Sequence, residues 1–260
     1  MSAGPAILTL DGGRAAVAFG VLPPRLNCIA DKVPPGSVVA DIGTDHAYLP
    51  IGLVLSGRSP RAIGSDTKRA PLAAAAANIV DAGVAGQVEI REGTGLSVLT
   101  PGEVDVVVIA GLGGVLTCRI LEADPAVRFS VERFILQPMI GVEVVRRWID
   151  DNQLKLADED LVEDEGRLYE VIVAEPRTGS LPAPDDPHGL GPEVIDLVGP
   201  LLLKRGHPLL RRHVETKLGQ FRKALEELRQ AKAPRSAEVR ARYQRIADGL
   251  AEVLRCLPKS

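Results

Sequence analysis

From about residue 37 the chain alternates short apolar, β-prone runs with longer runs of helical character, and few architectures accept that alternation. Strands are expected at residues 38–41, 61–66, 88–91, 104–109 and 133–136, with helices between them at 47–55, 70–81, 114–123 and 142–151. Strand, crossover helix, strand is the repeating unit of a parallel sheet covered on both faces, which explains why the strands read as unbroken apolar runs. Two more strands, 155–163 and 168–174, flank Asp164-Glu165-Gly166-Arg167, a tight-turn sequence. The first half is therefore expected to be an open α/β sheet that ends in an antiparallel hairpin.

A different pattern follows. Residues 176–192 contain Pro176, Gly179, Pro182, Pro184, Pro187, Gly189, Gly191 and Pro192, a density that marks a linker or irregular connection. Beyond it, Val214, Leu218, Phe221, Leu225 and Leu228 recur at steps of three and four. Val239, Tyr243, Ile246, Leu250, Val253 and Leu257 do the same after Pro234. This narrow apolar seam predicts an antiparallel coiled-coil hairpin turning at residues 233–236, with Ser236 as N-cap and Glu238 in the first turn of the second helix. The expected organisation is an extension at 1–21, an α/β domain at 22–176, a linker at 177–192 and a helical domain at 193–260.

Net charge is −3, but the two parts differ sharply. Residues 201–260 hold 15 Lys and Arg against 6 Asp and Glu, and the rest of the chain holds 16 against 28. A basic module beside an acidic one suits a polyanionic partner, and a solvated helical surface with its own ion pairs is the plainer alternative. His207 and His213, in the arginine-rich segment, are expected to be solvated. Cys28, Cys118 and Cys256 are too few and too scattered for a disulfide framework, and the four histidines lack metal-ligand spacing, so no metal is expected. No apolar run reaches the length of a membrane span and the first twenty residues do not read as a signal peptide, so a cytoplasmic protein without membrane contact is expected.

The first strand leads into Asp41-Ile42-Gly43-Thr44-Asp45-His46-Ala47-Tyr48-Leu49-Pro50. A strand, glycine turn and helix at the carboxyl edge of a parallel sheet is where doubly wound folds bind nucleotides. The spacing is not Gly-x-Gly-x-x-Gly, and carboxylates at 41 and 45 would repel a pyrophosphate, so a cationic ligand such as S-adenosylmethionine is the better match. Capping of the helix by Thr44 or Asp45 is the structural alternative. Gly64-Ser65-Asp66 ends the second strand with an acid placed to accept ribose hydroxyls, and Glu92-Gly93-Thr94-Gly95 ends the third where an adenine could lie. After the fourth, Ala110-Gly111-Leu112-Gly113-Gly114 carries three glycines, more than helix packing readily explains.

Several of these segments together resemble the bacterial tRNA adenine N1-methyltransferases of the TrmK family. They are Arg25-Leu26, the run from Ala40 to Pro50, Ile109-Ala110-Gly111-Leu112-Gly113-Gly114, Leu136-Gln137-Pro138 and Gly166-Arg167-Leu168-Tyr169-Glu170-Val171, all in the family's order. The resemblance spans roughly residues 22–257. It implies a Rossmann-like class I methyltransferase domain with a C-terminal α-helical coiled-coil domain, S-adenosyl-L-methionine as donor, and methylation of N1 of adenine 22 in tRNA. It further implies that Asp41 and Gly43 line the methionine end of the cofactor, Asp66 holds the ribose, Gly93 and Thr94 flank the adenine, and Ala110 and Gly111 border the methyl-transfer site. Thr94, Leu112 and Met139 stand where the family commonly has aspartate, methionine and asparagine.

Adenine N1 carries a free lone pair, so attack on a sulfonium methyl needs positioning more than a strong base. The product base is cationic, which gives Asp45 a role as the carboxylate that stabilises it or orients the exocyclic amine. N1 lies on the Watson–Crick edge, so a paired adenine must leave its helix, and Tyr48 is the candidate to meet it, with a core tyrosine as the alternative. His46 reads as an orienting residue. Arg25, Arg211, Arg212, Arg222 and Lys223 are the candidate RNA contacts, and a monomer is the expected state. Methyl transfer to another RNA or a small molecule, and RNA binding without turnover, remain the competing functions.

Overall fold

The computed structural model describes residues 21–179, 189–230 and 236–258. It begins with helix α1 (Pro24–Asp31), followed by β1 (Val39–Ile42), α2 (Tyr48–Leu55), β2 (Ala62–Asp66), α3 (Arg69–Asp81) and β3 (Val88–Glu92). After a short 3₁₀ turn come β4 (Val106–Ala110), α4 (Gly114–Ala123), α5 (Pro125–Ser130), β5 (Arg133–Gln137) and α6 (Val142–Asp151). The hairpin strands are β6 (Leu154–Asp164) and β7 (Arg167–Pro176), and the chain ends in α7 (Pro192–Val198), α8 (Pro200–Arg205), α9 (Leu210–Gln230) and α10 (Ser236–Cys256).

The seven strands form one sheet in the order β3-β2-β1-β4-β5-β7-β6. β1 to β5 run parallel, and β7 joins β5 antiparallel. Strand order reverses between β1 and β4, so their carboxyl ends open a crevice at the topological switch point. The central strands are apolar and wholly buried because helices cover both faces. α4 and α6 close one side over Val107, Ile109, Phe134 and Leu136, while α1 and α2 close the other over Val39, Val106 and Ile135. The turn between β6 and β7 places Glu165 and Gly166 at positive φ (47° and 74°), as the tight-turn sequence requires.

The expected strands and long helices are all present, with ends shifted by a residue or two. The short helices α1, α5, α7 and α8 were not expected. Three of them are only six or seven residues long and all four have proline in the first turn, so they offer little periodicity to detect. α9 and α10 are antiparallel: Arg211, in the first turn of α9, donates to the carbonyls of Leu254, Leu257 and Pro258 at the end of α10. Their apolar seam does not close on itself alone. Val214, Leu218, Leu250 and Val253 pack with Val194, Leu197 and Val198 of α7 and with Leu161 of β6. The expected turn at 233–235 and the side chain of Ser236 lie outside the described residues, as do residues 1–20 and 180–188 of the expected extension and linker.

A buried ionic cluster joins this helical part to the sheet. Arg146 of α6 donates to Glu159 of β6 at 2.6 Å and to Glu170 of β7 at 2.7 Å, and Lys217 of α9 meets Glu170 at 2.9 Å. His213, expected to be solvated, is buried beside them with its Nε2 3.7 Å from Glu170. The i, i+4 step from His213 to Lys217 puts both on the face of α9 that covers β7. His207 likewise turns inward and meets Asp160 at 2.9 Å.

Candidate active site

At the carboxyl end of β1 the backbone enters the left-handed region three times in five residues: Gly43 at φ 85°, Asp45 at 50° and Ala47 at 57°. Two of those are not glycine, and strained non-glycine residues of this kind persist where the surroundings over-determine them, commonly at binding sites. The amides of Gly43 and Thr44 both donate to the Ser65 carbonyl (2.8 and 2.9 Å), which ties the turn to β2. Ala47, not Thr44 or Asp45, occupies the N-cap of α2, and no side chain caps that helix. The two polar residues therefore remain available for something else.

Asp41 is buried at the end of β1. Burial pushes its carboxyl up to about 6, against the opposite pull of Thr44 and the charge of Arg25. The Ser65 hydroxyl, on the neighbouring strand β2, is buried and has no hydrogen-bond partner among the described residues. A buried carboxylate without an ion pair costs stability unless a ligand completes it. Asp66, at the mouth, accepts from the Lys68 amide at 2.8 Å through one oxygen, leaving the other without a partner among the described residues.

Asp45 is exposed, with one oxygen 3.5 Å from His46 Nε2. His46 is held through its carbonyl, which accepts from Asn78 Nδ2 at 2.9 Å, and its ring lies 5.5 Å from that of Tyr48. Tyr48 is half-buried at the start of α2. Its ring is therefore a packed partner of His46 that still reaches solvent, between the two expected alternatives.

The glycines divide by cause. Gly111 follows β4 at φ 80° with open space where a side chain would point, so it is the one of its group that faces the crevice. A side chain at Gly114 would meet the Gly141 carbonyl oxygen at 2.1 Å, and one at Gly93 would meet Val98 at 2.4 Å. Close packing explains both. Thr94 is exposed and Ala110 half-buried at the ends of the third and fourth strands, where they were expected.

The candidate RNA contacts separate in the same way. Arg211 is spent on the α10 carbonyls, and Arg212 makes a two-pronged pair with Glu163 at 2.6 and 2.8 Å. Arg25 donates to Gln137 Oε1 at 2.7 Å and lies over the Tyr169 ring at 5.5 Å. All three have internal partners, and Arg212 remains exposed beside its own. Arg222 and Lys223 are exposed on α9 without an ion pair among the described residues. Ser65 and Gln137 stood within segments quoted from the sequence but were given no role of their own, although a polar residue in or at the end of an otherwise apolar strand is a visible signal for each. Among the described residues no group of His, Cys, Asp and Glu could hold a metal ion, and no helix is long and apolar enough to cross a membrane.

Comparison with known proteins identifies the family of this domain. Residues 22–172 match a family model described as a methyltransferase domain. A tRNA (adenine(22)-N(1))-methyltransferase of Bacillus subtilis (strain 168) is 36% identical over 207 residues, which cover 80% of this chain and 85% of that protein. The crystal structure of the B. subtilis m1A22 tRNA methyltransferase TrmK superposes with a TM-score of 0.81 at 33% identity, covering 90% of this chain and 99% of that one. A Streptococcus pneumoniae candidate tRNA (m1A22) methyltransferase, solved with S-adenosyl-L-methionine, gives 0.75 at 30% identity over 88% of this chain and 98% of that one.

Proposed function

The chain belongs to the TrmK family of tRNA methyltransferases, and from that premise we propose that it transfers a methyl group from S-adenosyl-L-methionine to N1 of adenine 22 in tRNA. The observation that carries the reading is the crevice at the carboxyl ends of β1 and β2, where a buried carboxylate, Asp41, leads into a strained turn that holds the exposed carboxylate Asp45. These groups fit the donor, which has an ammonium, ribose hydroxyls and a sulfonium, and when bound it supplies an electrophilic methyl. Asp41 takes the cationic methionine end, Gly43 lets the backbone approach it, Ser65 and Asp66 accept or share the ribose hydroxyls, and Gly93 and Thr94 border the adenine. Ala110 and Gly111 line the route to the substrate.

Asp45 is the carboxylate beside the target base. It is exposed, so it is free to meet the base, and its negative charge stabilises the positive charge that N1-methylation places on the adenine. Tyr48, with His46 behind it, offers a ring face to an adenine swung out of its helix. No proton transfer to a strong base is needed at N1, so these residues position and stabilise rather than deprotonate. The α/β part, residues 22–176, holds the donor. The basic part, 193–260, holds the tRNA backbone, with Arg222 and Lys223 as phosphate contacts in a cytoplasmic enzyme.

The deciding measurement is to incubate the purified protein with unmodified tRNA and labelled S-adenosylmethionine and map the label by nucleotide. Label at N1 of adenine 22 is the expected result. Label elsewhere, or only on small molecules, would replace the reading.

A further inference from the structure

Arg25 is the residue whose geometry departs most from its expected role. It sits in the first turn of α1, where its amide donates to Asp164 of the β6–β7 turn at 3.3 Å. Its guanidinium stacks over Tyr169 of β7 and reaches Gln137, a fully buried residue that ends β5. A guanidinium only donates, so the amide oxygen of Gln137 must face Arg25 and its NH₂ group must face away. On that side lies Met139, whose sulfur is 3.7 Å from Nε2.

Gln137 in turn organises the crevice. Its carbonyl accepts from the Gly111 amide at 3.0 Å, and two residues later Met139 donates to the Leu112 carbonyl at 2.7 Å. The loops after β4 and β5 are thus laced together through the backbone on either side of Pro138, starting at the residue whose side chain Arg25 holds.

We propose that Arg25 is a positioning residue for methyl transfer: through the Gln137 side chain it fixes the end of β5 and, with it, the loops that border the transfer site. The inference rests on the functional reading given above, in which Ala110 and Gly111 line the route to the substrate. Gln137 is buried and its amide oxygen accepts from Arg25, so loss of the guanidinium leaves that oxygen without this donor inside the protein.

The test compares the whole protein with Arg25→Met and Arg25→Lys. Donor affinity is read by calorimetry, kcat by methyl transfer to tRNA, and tRNA affinity in the absence of donor. In Arg25→Met, kcat should fall about tenfold or more while donor and tRNA affinities stay within about twofold of wild type. Arg25→Lys keeps the charge but not the planar fork, so it should keep both affinities with a reduced kcat. This second variant decides the matter if the first fails to fold. A wild-type kcat in either variant, a kcat that falls only in step with donor affinity, or a loss of tRNA affinity with donor binding intact would overturn the proposal, the last in favour of a phosphate contact. Failure of the wild-type protein to methylate tRNA would instead defeat the functional reading.

Discussion

Asp41 and Glu170 are buried to the same degree, each 6% exposed, and their carboxyls are driven in opposite directions. Burial pushes both up. At Glu170, Arg146, Lys217 and His213 overcome it and hold the group well below the usual range. At Asp41 the pull of Thr44 and of Arg25 is too weak, and the group rests near 6. The surroundings match. Arg146 and Lys217 give Glu170 direct ion pairs at 2.7 and 2.9 Å, whereas Asp41 has no ion pair among the described residues and a strained turn after it. A buried acid with its partners in the chain locks elements together; one whose partners are missing is waiting for a ligand.

The contrast breaks most visibly at Arg146. Arg146→Met leaves Glu159 and Glu170 buried without their main partner and should cost about 3–5 kcal/mol, read as a fall in the urea midpoint. A loss below about 1 kcal/mol would show that the cluster does not lock the helical part to the sheet. On the other side, Asp45→Ala should keep donor affinity yet lose methyl transfer by roughly a hundredfold or more, about 3 kcal/mol of transition-state stabilisation. Equal activity in the variant would remove Asp45 from the mechanism.

Asp41→Asn should have two opposite effects. A carboxyl raised on folding is a cost present once pH exceeds its ordinary value, so removing the charge should stabilise the apoprotein at pH 7 by on the order of 1–3 kcal/mol. The same change should abolish thermal stabilisation by S-adenosylmethionine. An apoprotein made less stable would mean that Asp41 is a structural acid like Glu170. The smallest effect is in acid. Burial lowers His213 to about 4, and Glu170 is also held low. Each unfolded group binds protons at a pH where its folded counterpart does not, so stability should decline below about pH 6.5 as His213 is called on to charge, by roughly 1–2 kcal/mol at pH 5. His213→Asn should flatten that part of the curve.

The interface also bears on how the helical part can be tested. Removing residues after about 190 would strip Lys217 and His213 from Glu170 and expose Leu161, so donor binding by such a fragment would be compromised by the cut itself. Charge changes at Arg222 and Lys223, which are exposed, leave the packing alone.

Much of the frame was legible because its signals are local. Val39–Ile42 and Val106–Ala110 announce buried strands in four or five residues, and Val214, Leu218 and Leu225 announce a helix face by spacing alone. Asp41, Gly43, Asp45 and Asp66 could be singled out because they lie at or just past the carboxyl ends of strands. What that face packs on could not be read, since the seam of α9 and α10 gives no sign of α7 or Leu161.

The sequence by itself determined the order of elements, the turn after β1 and the basic character of the tail, all matters of backbone preference and side-chain period over a few residues. Only the tertiary structure decided which cations are free. Arg25 reaches Gln137 across 112 positions and Arg212 reaches Glu163 across 49, while Arg222 and Lys223 find no such partner among the described residues. Charge is visible in a sequence, but whether it is already neutralised depends on distances that only packing sets.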